Sequence, residues 1–345
     1  MDFVKILSEE FKLQAKHTEN IIELIDGGNT IPFIARYRKE MTGSCDDQVL
    51  RELNDRLTYL RNFEKRKEEI INSITEQEKM TDEILSAIEK ATTLAQLEDI
   101  YRPFKQKRRT RATVAKEKGL EPLANLILLN LFDGDIYKKA EEFIDEEKEV
   151  LTVEDALLGA KDIVAEAVSD SAEARQALRE YFEKNAFISS KAAKEEDSVY
   201  SMYYEYSEPV SKIPSHRILA INRGEKEEFL KVSVDVTEEA VIEILEKMFI
   251  TNEKATTAFL YKEAIEDSYK RLIYPSLERE IRSALTDKAS EQAIKNFGIN
   301  LKSLLMQPPI KGKITLGLDP AYRTGCKIAV VDDTGKVLDT AVVYP

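Results

Sequence analysis

From Ser44 to about residue 77 no Pro or Gly occurs, and Val49, Leu50, Leu53, Leu57, Leu60, Phe63 and Ile70 recur on one helical face. Such a pattern fits a single long amphipathic helix, a strut against which shorter elements must pack. The rest of the chain agrees with this. Only 12 Gly and 10 Pro interrupt 345 residues, far too few turns for a sandwich of short strands. The expected fold class is therefore mainly α, a multi-helix N-terminal body with a long helix. At this length more than one core is expected, with a helical domain over 1–190 and a second helical region over 191–310.

End signals subdivide the body. Thr18 is expected to cap a helix that carries Ile21, Ile22 and Ile25 and stops at Gly27-Gly28. Thr30 precedes Ile31-Pro32, a good helix start. Ser44 with Asp47, and Thr152 with Asp155, resemble capping boxes. Short helices between about 120 and 190 leave room for a helix-turn-helix-like part. Phe229–Val236 alternates with period two and is the first strand-like run. It is flanked by helical sequence ending near Gly298, and so suggests a small ribbon.

The pattern changes after Met306-Gln-Pro-Pro-Ile-Lys-Gly-Lys313, a linker by composition. Ile314–Asp319, Cys326–Val331 and Val337–Val343 read as three strands, with Asp332-Asp-Thr-Gly-Lys336 as a hairpin loop. This third region, 311–345, is a strand meander with no helix following to cover it, so the sequence reads as part of a longer domain.

Charge limits the functional classes. The formal net charge of -13 argues against uniform contact with nucleic acid. The charge is segregated, however: Lys105, Lys107, Arg108, Arg109 and Arg111 fall within seven residues that contain no acid. Tyr101, Arg102 and Phe104 precede them. Arginines suit bidentate phosphate contact and aromatics stack on bases. The residue types support phosphate contact and pairing with the chain's own acidic helices equally. Arg36, Arg38 and Lys39 form a second candidate after the apolar turn Ile31–Ala35; the plainer reading there is packing with a charged rim. His216 is expected to be a core or cap histidine. Two His and two Cys, none at ligand spacing, predict no metal site and no cofactor. The N-terminus lacks the continuous apolar run of a secretory signal, and no stretch would span a bilayer, so the cytoplasm is expected.

Asp319 ends the first strand of the meander, where RNase H-like nucleases place a metal carboxylate. It has no complete set of partner acids in this sequence. The plainer reading is a turn brace.

Several strings carry a more specific likeness: IPFIARYRKEMTG, LEDIYRPFKQKRRTRATVAKEKGLEPLA, SHRILAINRGEKE, YKRLIYPSLERE and LGLDPAYRTGCKIAVVDDTGKVLDTAVVYP. Together, and in this order, they resemble the bacterial Tex family of transcription accessory proteins. The resemblance implies a large cytosolic protein with a helical body, a helix-turn-helix element and a YqgF-type RNase H-like domain. It also implies helix-hairpin-helix motifs and an S1-type OB-fold that binds RNA, both outside these residues. The implied RNase H-like domain lacks a full catalytic set, which leaves Asp319 vestigial and the chain no enzyme. Partners implied are RNA or DNA, mainly through the modules outside these residues, with RNA polymerase or other transcription machinery as a further expected partner. Two rival readings are a metal-dependent nuclease or resolvase and a pure protein-interaction scaffold.

Overall fold

The computed structural model describes residues 2–105, 108–194, 196–308 and 312–344. The chain divides into two compact units. One comprises Met1–Lys191, Glu205–Lys212 and Val232–Arg282; the other comprises Ala192–Tyr204, Ile213–Lys231 and Ser283–Pro345.

Helix α1 (Phe3–Phe11) begins where the Asp2 carboxylate accepts the Lys5 N–H at 3.0 Å. Together with α2 (Ala15–Asp26), α3 (Ile31–Tyr37) and α4 (Lys39–Thr42) it covers the first half of α5 (Asp47–Glu76). The shared core is Leu7, Ile21 and Ile34 against Leu50, Leu53 and Leu57. At 1.5 Å per residue α5 is about 45 Å long, and its second half enters a different core. Here Phe63, Ile70 and Ile74 meet Ile88 of α6 (Asp82–Lys90) and Leu97 of α7 (Leu94–Tyr101). The long helix is thus a strut shared by two apolar clusters, as its sequence predicts.

A 3₁₀ turn, Arg102–Phe104, leads toward α8 (Arg111–Glu117). Helices α8, α9 (Glu121–Leu129) and α10 (Ile136–Glu141) pack around α11 (Val153–Asp170), whose N-terminus carries the capping box of Thr152 and Asp155. Gly159 lies where α8 and α11 approach: a Cβ there would stand 2.4 Å from Leu120 Cδ1 and 3.3 Å from Ala115 Cβ. Ser171 ends α11 and caps α12 (Ala172–Asn185). Strands β1 (Phe187–Ala192) and β2 (Glu205–Pro209) form an antiparallel pair with Ser189 opposite Ser207. After α13 (Ser215–Lys226) comes β3 (Leu230–Asp235), which gives the sheet order β2-β1-β3. The open edge of β3 is closed by side chains, because the Val234 N–H donates to Glu278 and its carbonyl accepts from Tyr274. Helices α14 (Glu238–Phe249) and α15 (Ala258–Asp267) follow. A π-helical turn, Ser268–Ile273, then joins α15 to α16 (Tyr274–Leu305). The second sheet is the meander β4 (Thr315–Asp319), β5 (Cys326–Val331) and β6 (Val337–Val343), in the order β4-β5-β6. No helix among the described residues is long and apolar enough to cross a membrane.

The chain is mainly α with two small sheets. Several local expectations are corrected. Thr18 lies inside α2, fully buried, and receives the Ser8 hydroxyl at 3.0 Å; the helix begins one turn earlier, after Gln14. Asp46, not Ser44, caps α5 through the Val49 N–H, while Ser44 takes a left-handed conformation, φ 60°. The ribbon at 230–235 belongs to a three-stranded sheet, with β1 beside it and β2 beyond β1; the polar sequences FISSKA and EYSEP conceal both strands. Helix α16 runs through Gly298, where no atom lies close enough to require a glycine. His216 is exposed near the start of α13 rather than in a core or a cap.

Candidate nucleic-acid interface

The basic segment lies between the 3₁₀ turn and α8. Thr110 accepts the Thr113 N–H at 3.0 Å and so starts α8 at Arg111. Chain direction is fixed at the other end by Phe104, whose carbonyl accepts from Gln77 Nε2 at 2.9 Å. Tyr101 faces Ser73 across a 3.0 Å hydroxyl contact, with the Arg66 guanidinium 5.3 Å from its ring. Tyr101 and Phe104 are therefore committed to packing against the second half of α5.

The cations divide by environment. Lys105 is exposed and sits 3.9 Å from Glu98. Arg109 pairs with Glu117 at 2.9 Å, with both side chains largely in water at 71% and 53% exposure. Arg108 is exposed and has no ion pair among the described residues. Arg111, also exposed, borders a small cavity with Asp162, whose carboxyl is pushed above its usual range by burial, against the pull of Arg271 and Arg111. Lys107 lies outside the described residues.

The second candidate is held by aromatics. The Arg38 guanidinium lies 5.2 Å from the Phe33 ring, and Phe33 stands 5.3 Å from Tyr37. Ile34 is fully buried while Arg36, Tyr37 and Lys39 are exposed. Buried turn and charged rim coexist here.

Sequence reasoning missed a buried ionic cluster behind the basic segment. Asp99 of α7 accepts Arg175 Nε at 2.8 Å and Arg179 Nη2 at 2.7 Å. Arg179 Nε reaches Glu280 of α16 at 2.5 Å, and Arg175 Nη2 donates to Ser276 at 3.0 Å. Burial works against the Arg179 charge, but its hydrogen bonds to Glu280 and Asp99 outweigh it and raise the pKa. Arg102, the first residue of the 3₁₀ turn, is pushed the other way by burial and by the neighbouring Arg175; Asp170, 3.5 Å away, only partly offsets this. A signal did exist: Arg175 shares the stripe of α12 that buries Leu178 and Phe182. A charge at such a position demands a partner.

In the meander, Asp319 stands at the exposed end of β4, in register with Lys327. The bracing expected of it falls to Asp332, whose carboxylate accepts the Thr334 and Lys336 N–H groups at 2.9 and 3.0 Å. Those bonds hold the Asp332 carboxyl below its ordinary pKa, led by the Thr334 hydroxyl. Gly335, at φ 85°, makes the tight return.

Three family descriptions match along the chain. They are the Tex-like protein N-terminal domain over residues 1–75, the Tex central region over 134–297 and the Tex protein YqgF-like domain over 313–345. The chain is 51% identical to the Bacillus subtilis protein YdcI over 98% of its own length and 48% of that protein. It is 39% identical to the transcriptional accessory protein Tex of Neisseria gonorrhoeae, covering 46% of it. The human S1 RNA-binding domain-containing protein 1 is 33% identical, with 36% of it covered. The chain therefore spans about half, or less, of the length of these relatives. A helical body in two cores, a central helical region and a β-meander occur in the order of those three matches, and the chain belongs to the Tex family.

Proposed function

We propose that this chain is a nucleic-acid-associated scaffold of transcription in the cytoplasm, and that its basic segment Lys105–Arg111 touches the phosphate backbone without cutting it. The observation that carries this is the state of the segment's charges. Arg108 has no ion pair among the described residues, and Arg109 is held only by a pair open to water. Exposed pairs of that kind contribute roughly 0–1 kcal/mol. Exchanging Glu117 for a phosphate therefore costs little, so internal pairing does not compete seriously with phosphate contact. The names of two relatives, a transcriptional accessory protein and an S1 RNA-binding domain protein, support the same reading.

Binding by this chain alone is weak in this account, since one basic segment works against a net charge of -13. A nuclease reading has little support in the meander. Asp319 faces a lysine across the ladder, and Asp332 is occupied by its own hairpin. The test is incubation of labelled single-stranded, duplex and branched substrates with magnesium or manganese. All should remain intact; cleavage that vanishes in Asp319→Asn would establish the nuclease instead.

A protein-docking role has one observation of its own. Ile294, Phe297, Leu301 and Leu304 follow a three-four-three spacing on α16 and are 40–71% exposed. Such a stripe suits a partner helix, which in this setting would belong to RNA polymerase or another part of the transcription machinery.

A further inference from the structure

Within the first unit a cavity of about 320 Å³ opens beside the 3₁₀ turn, lined by Arg102, Lys105, Arg175 and Arg179 together with carboxylates. The carboxylates are already engaged. Asp99 accepts from both Arg175 and Arg179, Glu280 from Arg179, and Glu98 receives Arg66 Nε at 2.6 Å. The cations are less well served. Arg102 comes no nearer than 3.5 Å to Asp170, and Lys105 no nearer than 3.9 Å to Glu98. Both separations exceed the roughly 2.7–2.9 Å of a charge-assisted hydrogen bond. Arg175, whose side chain is 2% exposed, leaves Nη1 buried without any hydrogen-bond partner. An unsatisfied buried donor is costly, and more so on a charged group.

We propose that this cavity is a binding site for a single phosphate group, with Arg102 and Lys105 closing on the anion and the buried Arg175 charge behind them. Its volume is at the small end of ligand pockets, which run roughly 300–1,000 Å³. Seven of its nine lining residues are charged and four of these are cations, which suits a small anion. Burial and the Arg175 charge both push the Arg102 pKa down; a phosphate beside it would reverse that push. Two sources of the group share this chemistry: free phosphate and the terminal phosphate of a nucleic acid. The site shares Lys105 with the surface reading but not Arg108 or Arg109, which do not line it.

The test is thermal unfolding and calorimetric titration of the whole chain with inorganic phosphate. In parallel, a short oligonucleotide bearing a 5′-phosphate is compared with the same oligonucleotide ending in a 5′-hydroxyl. Phosphate should raise the unfolding midpoint, and Arg102→Gln should weaken its binding about tenfold or more. Arg102→Lys, which keeps the charge, should fall between the two. The pair Arg108→Ala and Arg109→Ala should leave phosphate affinity unchanged while weakening duplex binding. Preference for the 5′-phosphate oligonucleotide would identify a nucleic-acid end as the source, and equal response to both would identify free phosphate. The proposal is overturned if phosphate neither binds nor stabilises the chain, or if Arg102→Gln binds it as the unaltered chain does.

Discussion

Arg175 Nε donates to Asp99 Oδ1 at 2.8 Å with the two side chains only 2% and 8% exposed, which joins α12 to α7 by a charge pair almost out of water. The pair is supported on both sides, since Asp99 also accepts from Arg179 and Arg175 also reaches Ser276. Buried pairs of this kind add little net stability over apolar packing, but removing one partner strands the other.

Asp99→Ala should therefore destabilise the chain by about 3–5 kcal/mol, because Arg175 and Arg179 lose their common acceptor. Urea unfolding followed by circular dichroism measures this. A loss under about 1 kcal/mol would mean that the cluster is hydrated in solution and not the junction described here.

Gly43 closes α4 with φ 66°, and a Cβ there would stand 2.9 Å from His17 Cδ2. His17 is held in place by a 3.0 Å contact from Nδ1 to the Met41 carbonyl, which Asn20 also reaches at 2.9 Å. Gly43→Ala should cost about 1 kcal/mol or more through left-handed strain, with the clash added. Gly28→Ala supplies the comparison, because it has a similar φ of 77° and no atom within 4 Å. Equal losses in the two variants would show that the imidazole moves aside.

Two exposed pairs tie the N-terminal helices to α5: Arg56 to Glu10 at 2.6 Å and Arg61 to Asp26 at 2.7 Å. Hydrogen bonds from these arginines hold both carboxyls below their ordinary values of 4.5 and 3.8. A depressed carboxyl contributes stability that is complete above its unfolded pKa and lost as pH falls through the folded one. Each pair is open to solvent, so the contribution stays under about 1 kcal/mol. Combining Glu10→Gln with Asp26→Asn should lower the urea midpoint at about pH 6 and change it much less at about pH 3. An equal effect at both pH values would trace the loss to packing instead.

The apolar periodicity made the helical body legible, because helices such as α5 and α11 bury stripes that recur every three or four residues. The strut was readable from Leu50 to Ile70, and the meander from its alternating runs and the Gly335 turn. Strands β1 and β2 were not, since Ser189, Ser190 and Ser207 make a polar ladder in which Ser189 bonds Ser207 at 3.1 Å. Period-two hydrophobicity has nothing to report there. Of the candidate interface, the basic segment was visible as charge. Its ionic support was hidden because Asp99, Arg175 and Glu280 lie at least 76 residues apart along the chain. Such pairings are set by how α7, α12 and α16 pack, which no local window contains.

Gly159 tests the close approach of α8 and α11. Gly159→Val should destabilise by about 1–3 kcal/mol, since Leu120 and Ala115 leave no room for a branched side chain. Unchanged thermal stability would mean that the two helices can separate freely.

The central claim is that Lys105–Arg111 meets nucleic-acid phosphate. Fluorescence titration of labelled single-stranded and duplex oligonucleotides, repeated over a series of salt concentrations, tests it most directly. The account predicts weak binding at low salt whose logarithm falls linearly with the logarithm of salt. Changing Lys105, Arg108, Arg109 and Arg111 to Ala should flatten that slope and abolish most of the binding. Tight binding that survives all four changes with the same salt slope would contradict it.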